Sequence, residues 1–324
     1  MKTIGRIAAA CVWAFAAPAV FAQADWPNKP LRFIIPSPPG TSSDLLVRAV
    51  FEPVGKALGQ PVVTEARPGA GGTIALDVVA KAAPDGYTLA MGSLGSLGIG
   101  PTVYRNLRFD ALKDLVGVAR VAATANMIVV ATDVPVRNLQ EFVTYAKARP
   151  GNLNFAQIGG PGTSFHLTWE MFVGSTGLNA VQIPFKANPE AIQGLLSGSL
   201  QVAMGAPNQF LPQLREGRLR GLAVTSEQRD PLLPDVPTMA EAGFPGYVLP
   251  SWFGVAAPAG TPRAIVERLS RETLSSLARA ETVSAMAKFG FAPYPQSAPE
   301  FDAFFRSEIA RWGAVAKTAG VSIQ

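Results

Sequence analysis

From residue 25 onward, short apolar runs alternate with longer segments in which apolar positions recur at three- and four-residue spacings. The runs read as strands and the spaced segments as helices, which predicts an α/β fold on mainly parallel sheets. Residues 31–36 form the first predicted strand. Ser42 or Ser43 then caps a helix to about Leu58, with a kink expected at Pro53. Strands follow at 61–65 and 88–92, with a helix at 73–83 between them. A second unit begins near Val121, with strands at 127–131, 153–156, 181–184, 201–204 and 219–224. Its helix at 138–149 is opened by Asn138 with Glu141 three residues on, a capping-box pattern. Another helix, at 163–176, follows a Gly-rich turn. After a strand at 252–257 the chain reads as all helical, and Phe301, Phe304, Phe305, Ile309, Trp312 and Val315 share one helix face.

The first residues belong to a different pattern. Lys2 and Arg6 precede an apolar stretch from 7 to 20, and small residues at Ala22 and Ala24 offer peptidase sites. This is the layout of a secretory signal peptide over residues 1–24, and the apolar run is too short to span a bilayer. Cys11, the one cysteine, falls within the stretch to be removed. The exported product then has no disulfide, thiol nucleophile or thiolate ligand, and its one histidine, His166, excludes a multi-histidine metal site. We expect no cofactor and no metal. The net charge is +5, or +3 without Lys2 and Arg6, and the basic residues are scattered, so no nucleic-acid partner is expected.

Candidate chemistry gathers where Gly-rich turns run into helices. Ser37, Pro39, Gly40, Thr41 and Ser42 form one such approach, and Gly162, Thr163 and Ser164 another. The first turn of a helix carries N–H groups without partners in the helix and a positive dipole end, so these places suit a carboxylate. Each motif alone is also what an ordinary turn and cap require. Neither holds the lysine of a phosphate-binding loop. Ser93 and Ser96 follow the strand at 88–92, at the end where ligands collect in open α/β sheets. Phe185, Lys186 and Ala187 occupy a similar place in the second unit. His166 has no second histidine, nucleophile elbow or close carboxylate pair to work with, so it reads as a helix-start or cleft-lining residue and the chain as non-catalytic.

A series of motifs then appears in order. It begins with Trp26-Pro27-Asn28-Lys29-Pro30, Pro36-Ser37-Pro38-Pro39-Gly40, Arg67-Pro68-Gly69-Ala70-Gly71-Gly72 and Ala83-Pro84-Asp85-Gly86-Tyr87-Thr88. Gly162-Thr163-Ser164 with His166, Leu222-Ala223-Val224-Thr225-Ser226 and Leu233-Pro234-Asp235-Val236-Pro237-Thr238 come next. Trp252-Phe253-Gly254 and Ala257-Pro258-Ala259-Gly260-Thr261-Pro262 complete it. Together they resemble the tripartite tricarboxylate transporter receptor family, the TctC-like or Bug proteins. The resemblance implies a type II periplasmic-binding-protein-like fold with two lobes and a double crossover hinge, near residues 120–127 and 246–252. Residues 25–122 and 251–324 would form one lobe and 123–250 the other, with the ligand cleft between them. It also implies a periplasmic, monomeric receptor that holds a small organic carboxylate, through the loop from Pro38 to Ser42 and through Thr163 and Ser164. The implied partners are membrane subunits of a tripartite tricarboxylate-type transporter. A sensor kinase reading the same loaded form, or a secreted hydrolase or isomerase on the same fold, are the alternatives.

The departures from that family pattern bear on the ligand. Ser37 and Thr41 stand where an aromatic and a second glycine are usual, Phe185 and Ala187 replace Tyr and Gly around Lys186, and Gly100 precedes Pro101 where asparagine is frequent. Gly205 replaces the aspartate that pairs with a substrate ammonium. That loss favours a plain or aromatic carboxylate over an amino acid.

Overall fold

A computed structural model describes residues 26–319 except 159–162, 186–187, 231 and 248; the leader predicted over residues 1–24 lies outside the described residues. The chain begins with β1 (Leu31–Ile35), α1 (Ser42–Leu58), β2 (Val62–Ala66), α2 (Thr73–Ala80) and β3 (Thr88–Ser93). Two single-turn helices, α3 (Gly100–Val103) and α4 (Ala111–Asp114), lead into the long strand β4 (Leu115–Thr124). Next come β5 (Met127–Ala131), α5 (Leu139–Lys147), β6 (Asn154–Ile158), α6 (Ser164–Thr176) and β7 (Val181–Phe185). They are followed by α7 (Asn188–Leu196), β8 (Val202–Gly205), α8 (Pro207–Arg215) and β9 (Leu219–Val224). The last elements are β10 (Ser251–Pro258), α9 (Arg263–Leu277), α10 (Ala280–Lys288), β11 (Ala292–Gln296) and α11 (Ala298–Ala319).

Among the described residues the strands form two sheets, ordered β11-β4-β10-β3-β1-β2 and β7-β6-β8-β5-β9. Apart from the added edge strand β11, the second order repeats the first. Both sheets are mixed but keep the expected parallel majority: β1, β2 and β3 pair parallel, as do β6, β7 and β8. β10 runs antiparallel between β3 and β4, and β5 runs antiparallel between β8 and β9. The double crossing is the cause. Ser251 pairs with Thr124 and Met127 with Val224, so each returning strand enters its sheet beside the end at which a neighbour leaves it. Such a strand can pair only antiparallel.

Burial on both sheet faces explains the unbroken apolar runs. All five residues of β5, Met-Ile-Val-Val-Ala, are buried. Trp169 of α6 is fully buried and stacked on Phe155 of β6, with ring centroids 4.1 Å apart. Asn138 caps α5 by accepting the Glu141 N–H at 2.8 Å, and the Glu141 carboxylate accepts the Arg137 N–H at 2.7 Å. For α1 the cap is Thr41, not Ser42 or Ser43, and the helix continues through Pro53. The stretch after β10 is not all helical: Gly290, at φ 78°, ends the turn after α10, and β11 pairs with β4. Pro293 and Pro295 suit β11 to its place at the sheet edge, where missing N–H groups leave no ladder bond unmade.

Both crossings are fastened to Thr225, which is fully buried. At the first crossing, the Asn126 N–H donates to the Thr225 hydroxyl at 2.9 Å, and the Thr225 N–H donates to the Asn126 carbonyl at 2.8 Å. At the second, the Thr225 hydroxyl donates to the Leu249 carbonyl at 3.1 Å, and the Leu249 N–H donates to the Thr225 carbonyl at 2.9 Å.

Candidate functional site

The loops that leave β1, β2 and β3 at their carboxyl ends converge on Gly72. Its φ of 97° and the nearness of Pro36 and Ser96, whose Cβ atoms would lie 3.1 and 3.2 Å from an added Cβ, leave room for glycine alone. In the β1 loop, the Ser37 and Thr41 hydroxyls are 2.8 Å apart, and Thr41 donates to the Pro38 carbonyl at 2.8 Å. Thr41 thus holds the N-cap position of α1 through its extended backbone alone, while its hydroxyl turns back into the loop. Asp44, 2% exposed, accepts the Gly40 N–H at 2.8 Å and pairs with Arg48 at 3.1 Å. Pro39 and Gly40 are exposed. After β3, Ser93 and Ser96 bond reciprocally: the Ser93 N–H donates to the Ser96 hydroxyl at 2.9 Å, and the Ser96 N–H to the Ser93 hydroxyl at 3.3 Å. Ser96 is fully buried, so it braces the loop, while Ser93 is partly accessible.

In the second lobe the carboxyl end of β6 leads to α6. Thr163 caps this helix by accepting the His166 N–H at 3.3 Å, and its hydroxyl donates to the Ile158 carbonyl at 3.4 Å. With the hydroxyl used in this way, Thr163→Ala is expected to cost about 1 kcal/mol of stability, measured by urea unfolding. A variant as stable as the parent would show that the cap is idle. Ser164 opens the helix and is 8% exposed. His166 is 7% exposed, and burial pushes its pKa down to about 4. Its 3.7 Å approach to Glu170 is therefore not an ion pair at neutral pH, and His166 is uncharged there. Phe185 ends β7 in register with Ile158. Gly162, Lys186 and Ala187 lie outside the described residues. Gly205 ends β8, and a Cβ there would meet Phe210 Cε2 at 2.7 Å. Phe210 is fully buried, so the end of β8 has no room for a carboxylate side chain.

The two lobes meet at the first turn of α6. The Ser164 hydroxyl accepts a bond at 3.1 Å from Ser251, the first residue of β10. Two residues further along β10, Phe253 pairs with Ser93. Leu167 of α6 packs in one buried cluster with Leu94, Leu97 and Trp252 of the first lobe. Thr168, one turn after Ser164, accepts a bond at 3.1 Å from the Asn126 side chain at the first crossing. Sequence reading missed Ser251, for which a serine opening a strand gives no signal.

Two cavities lie elsewhere. One of about 620 Å3 runs between α6 and α11, lined by Glu170, Met171, Val173, Tyr247 and Val315 among others. The other, about 130 Å3, lies beside Trp252, Glu308 and Trp312. The first presents Glu170, and in the second Glu227 and Glu308 outnumber Arg311, which is paired with Glu308, so the strand ends and the α6 N-terminus remain the candidate anion site. Among the described residues no group of His, Cys, Asp or Glu is placed to hold a metal ion, and no helix is long and apolar enough to cross a membrane.

Residues 46–321 match the model of the tripartite tricarboxylate transporter family receptor. The protein BugT of Bordetella pertussis is 35% identical over 300 residues, covering 92% of each chain. A solved R. palustris protein with adipate is 33% identical, with TM-score 0.81 over 92% of this chain and 99% of that one. MatC from Rhodopseudomonas palustris, with bound malate, is 31% identical, with TM-score 0.77 over 90% of this chain and 99% of that one.

Proposed function

Because the chain belongs to the tripartite tricarboxylate transporter receptor family, we propose that it is a periplasmic solute-binding receptor capturing a small organic carboxylate between its lobes, for membrane subunits of a tripartite transporter. Residues 25–122 and 251–324 make up one lobe in this reading, and 123–250 the other. The observation that carries it is the α6 N-terminus, seated by Ser164 and Leu167 against the first lobe beside the β3 loop. A carboxylate there meets the first-turn N–H groups, the positive end of the helix dipole and the Ser164 hydroxyl. The β1 loop, with Ser37 to Ser42, and Ser93 supply the facing wall.

The role is capture without chemistry. The one histidine, His166, is buried and neutral, so it offers neither a cation nor an exposed base, and the ligand should be recovered unchanged. The crowding of Gly205 by Phe210 supports a ligand without an ammonium group, because no acid can be placed there to pair with it. The adipate and malate of two relatives are ligands of that kind.

Ser164→Ala tests the reading. A hydrogen bond to a charged group contributes roughly 1.5–3 kcal/mol, so affinity should fall about tenfold to a hundredfold. Titration calorimetry follows a thermal-shift panel of adipate, malate, benzoate and glutamate. Unchanged affinity in the variant would remove α6 from the site, and a larger shift with glutamate than with the others would overturn the ligand class.

A further inference from the structure

Ser251 is a positioning residue for the carboxylate site: we infer that its hydroxyl sets the direction in which Ser164 donates. The inference rests on the reading of α6 given above. Ser164 and Ser251 are 87 positions apart, lie in different lobes, and are 8% and 5% exposed. Ser251 donates to Ser164 at 3.1 Å. A hydroxyl has one proton to give and two lone pairs. With one lone pair of Ser164 taken by Ser251, its own proton points elsewhere. Hydroxyl rotors otherwise settle on whichever acceptor is nearest, and in the first turn of a helix that acceptor is commonly a backbone carbonyl.

The placement of Ser251 makes this more than a local bond. It opens β10, opposite Thr124, and so belongs to the second crossing. Thr168, four residues after Ser164 and therefore on the same face of α6, accepts from Asn126 at the first crossing. The helix that presents its N-terminus to the ligand is thus held at both crossings. Of the two bonds, only that from Ser251 ends on a residue of the first turn. A ligand carboxylate accepting from Ser164 strengthens the Ser251 bond in turn, because the bonds polarise one another along the chain Ser251, Ser164, carboxylate.

A double-mutant cycle on the full chain tests this. The probe is whichever of adipate, malate, benzoate and glutamate binds the parent most tightly, followed by titration calorimetry. Ser251→Ala should weaken binding about threefold to tenfold, the worth of one neutral hydrogen bond. Ser251→Thr, which keeps the hydroxyl, should restore most of the loss. In a Ser164→Ala background, Ser251→Ala should change affinity by less than about twofold, because the group it acts through is gone. Parental affinity in Ser251→Ala, or an equal loss in both backgrounds, would overturn the inference while leaving the site intact. If Ser164→Ala binds as the parent does, or the parent binds none of the four acids, the reading of α6 fails and takes the role of Ser251 with it.

Discussion

Glu308→Ala is expected to lower the unfolding free energy by roughly 3–5 kcal/mol. Glu308 is 6% exposed, and one carboxylate oxygen accepts both the Trp252 indole N–H at 3.0 Å and the Trp312 indole N–H at 3.1 Å. Arg311 meets the other oxygen at 3.3 Å. Trp252 lies on β10 and Trp312 on α11, each 1% exposed, so the carboxylate fastens the last helix to a crossing strand. Truncation leaves two buried donors without an acceptor, each costing about 1–3 kcal/mol. The neighbouring cavity of about 130 Å3 can admit water to them, which places the loss at the lower end of the range. Glu308→Gln keeps an amide oxygen as acceptor and should lose less. Urea unfolding decides it: an alanine variant within about 1 kcal/mol of the parent, the typical effect of a point mutation, would show that the indoles do not depend on Glu308.

The second large effect is acid instability from His166. Burial holds its folded pKa at about 4, against 6.5 for the free side chain. Between those values the unfolded chain binds the proton and the folded chain does not, so stability rises with pH through the window. The contribution is complete above pH 6.5 and is lost as pH falls toward 4. A shift of this size corresponds to roughly 3 kcal/mol. Urea unfolding of the parent and of His166→Gln at several pH values between 7 and 4 isolates it: the parent should lose about 3 kcal/mol more than the variant. Parallel losses in the two proteins would mean that His166 is protonated in the folded state.

Where local chemistry decides the structure, it is legible in the residues. Asn138 with Glu141 announces a cap and forms one, because both partners lie within four residues. Thr41 is harder to read. Its hydroxyl has a choice between the helix and the Pro38 carbonyl, and only the path of the loop settles it. β11 hides behind Pro293 and Pro295, which argue against a strand until the sheet edge beside β4 becomes known. The antiparallel strands stay hidden for a related reason, since an apolar run does not record from which end of a sheet it enters.

The candidate site divides along the same line. The Gly-rich approach to α1 is visible as a turn before a helix, and the missing acid at Gly205 is visible as a substitution. Its cause, the Phe210 ring, appears only in three dimensions. Ser251 could not be found from spacing at all, because its partner lies 87 positions away.

The fastening of both crossings to Thr225 has a mechanical consequence. Two independent cords between two bodies would let them slide, twist and swing separately. Tied together at one buried side chain, the cords act as a single pivot, and any displacement of one lobe carries both. The relative placement of the lobes then reduces to rotation about that buried point, with sliding of one crossing past the other excluded.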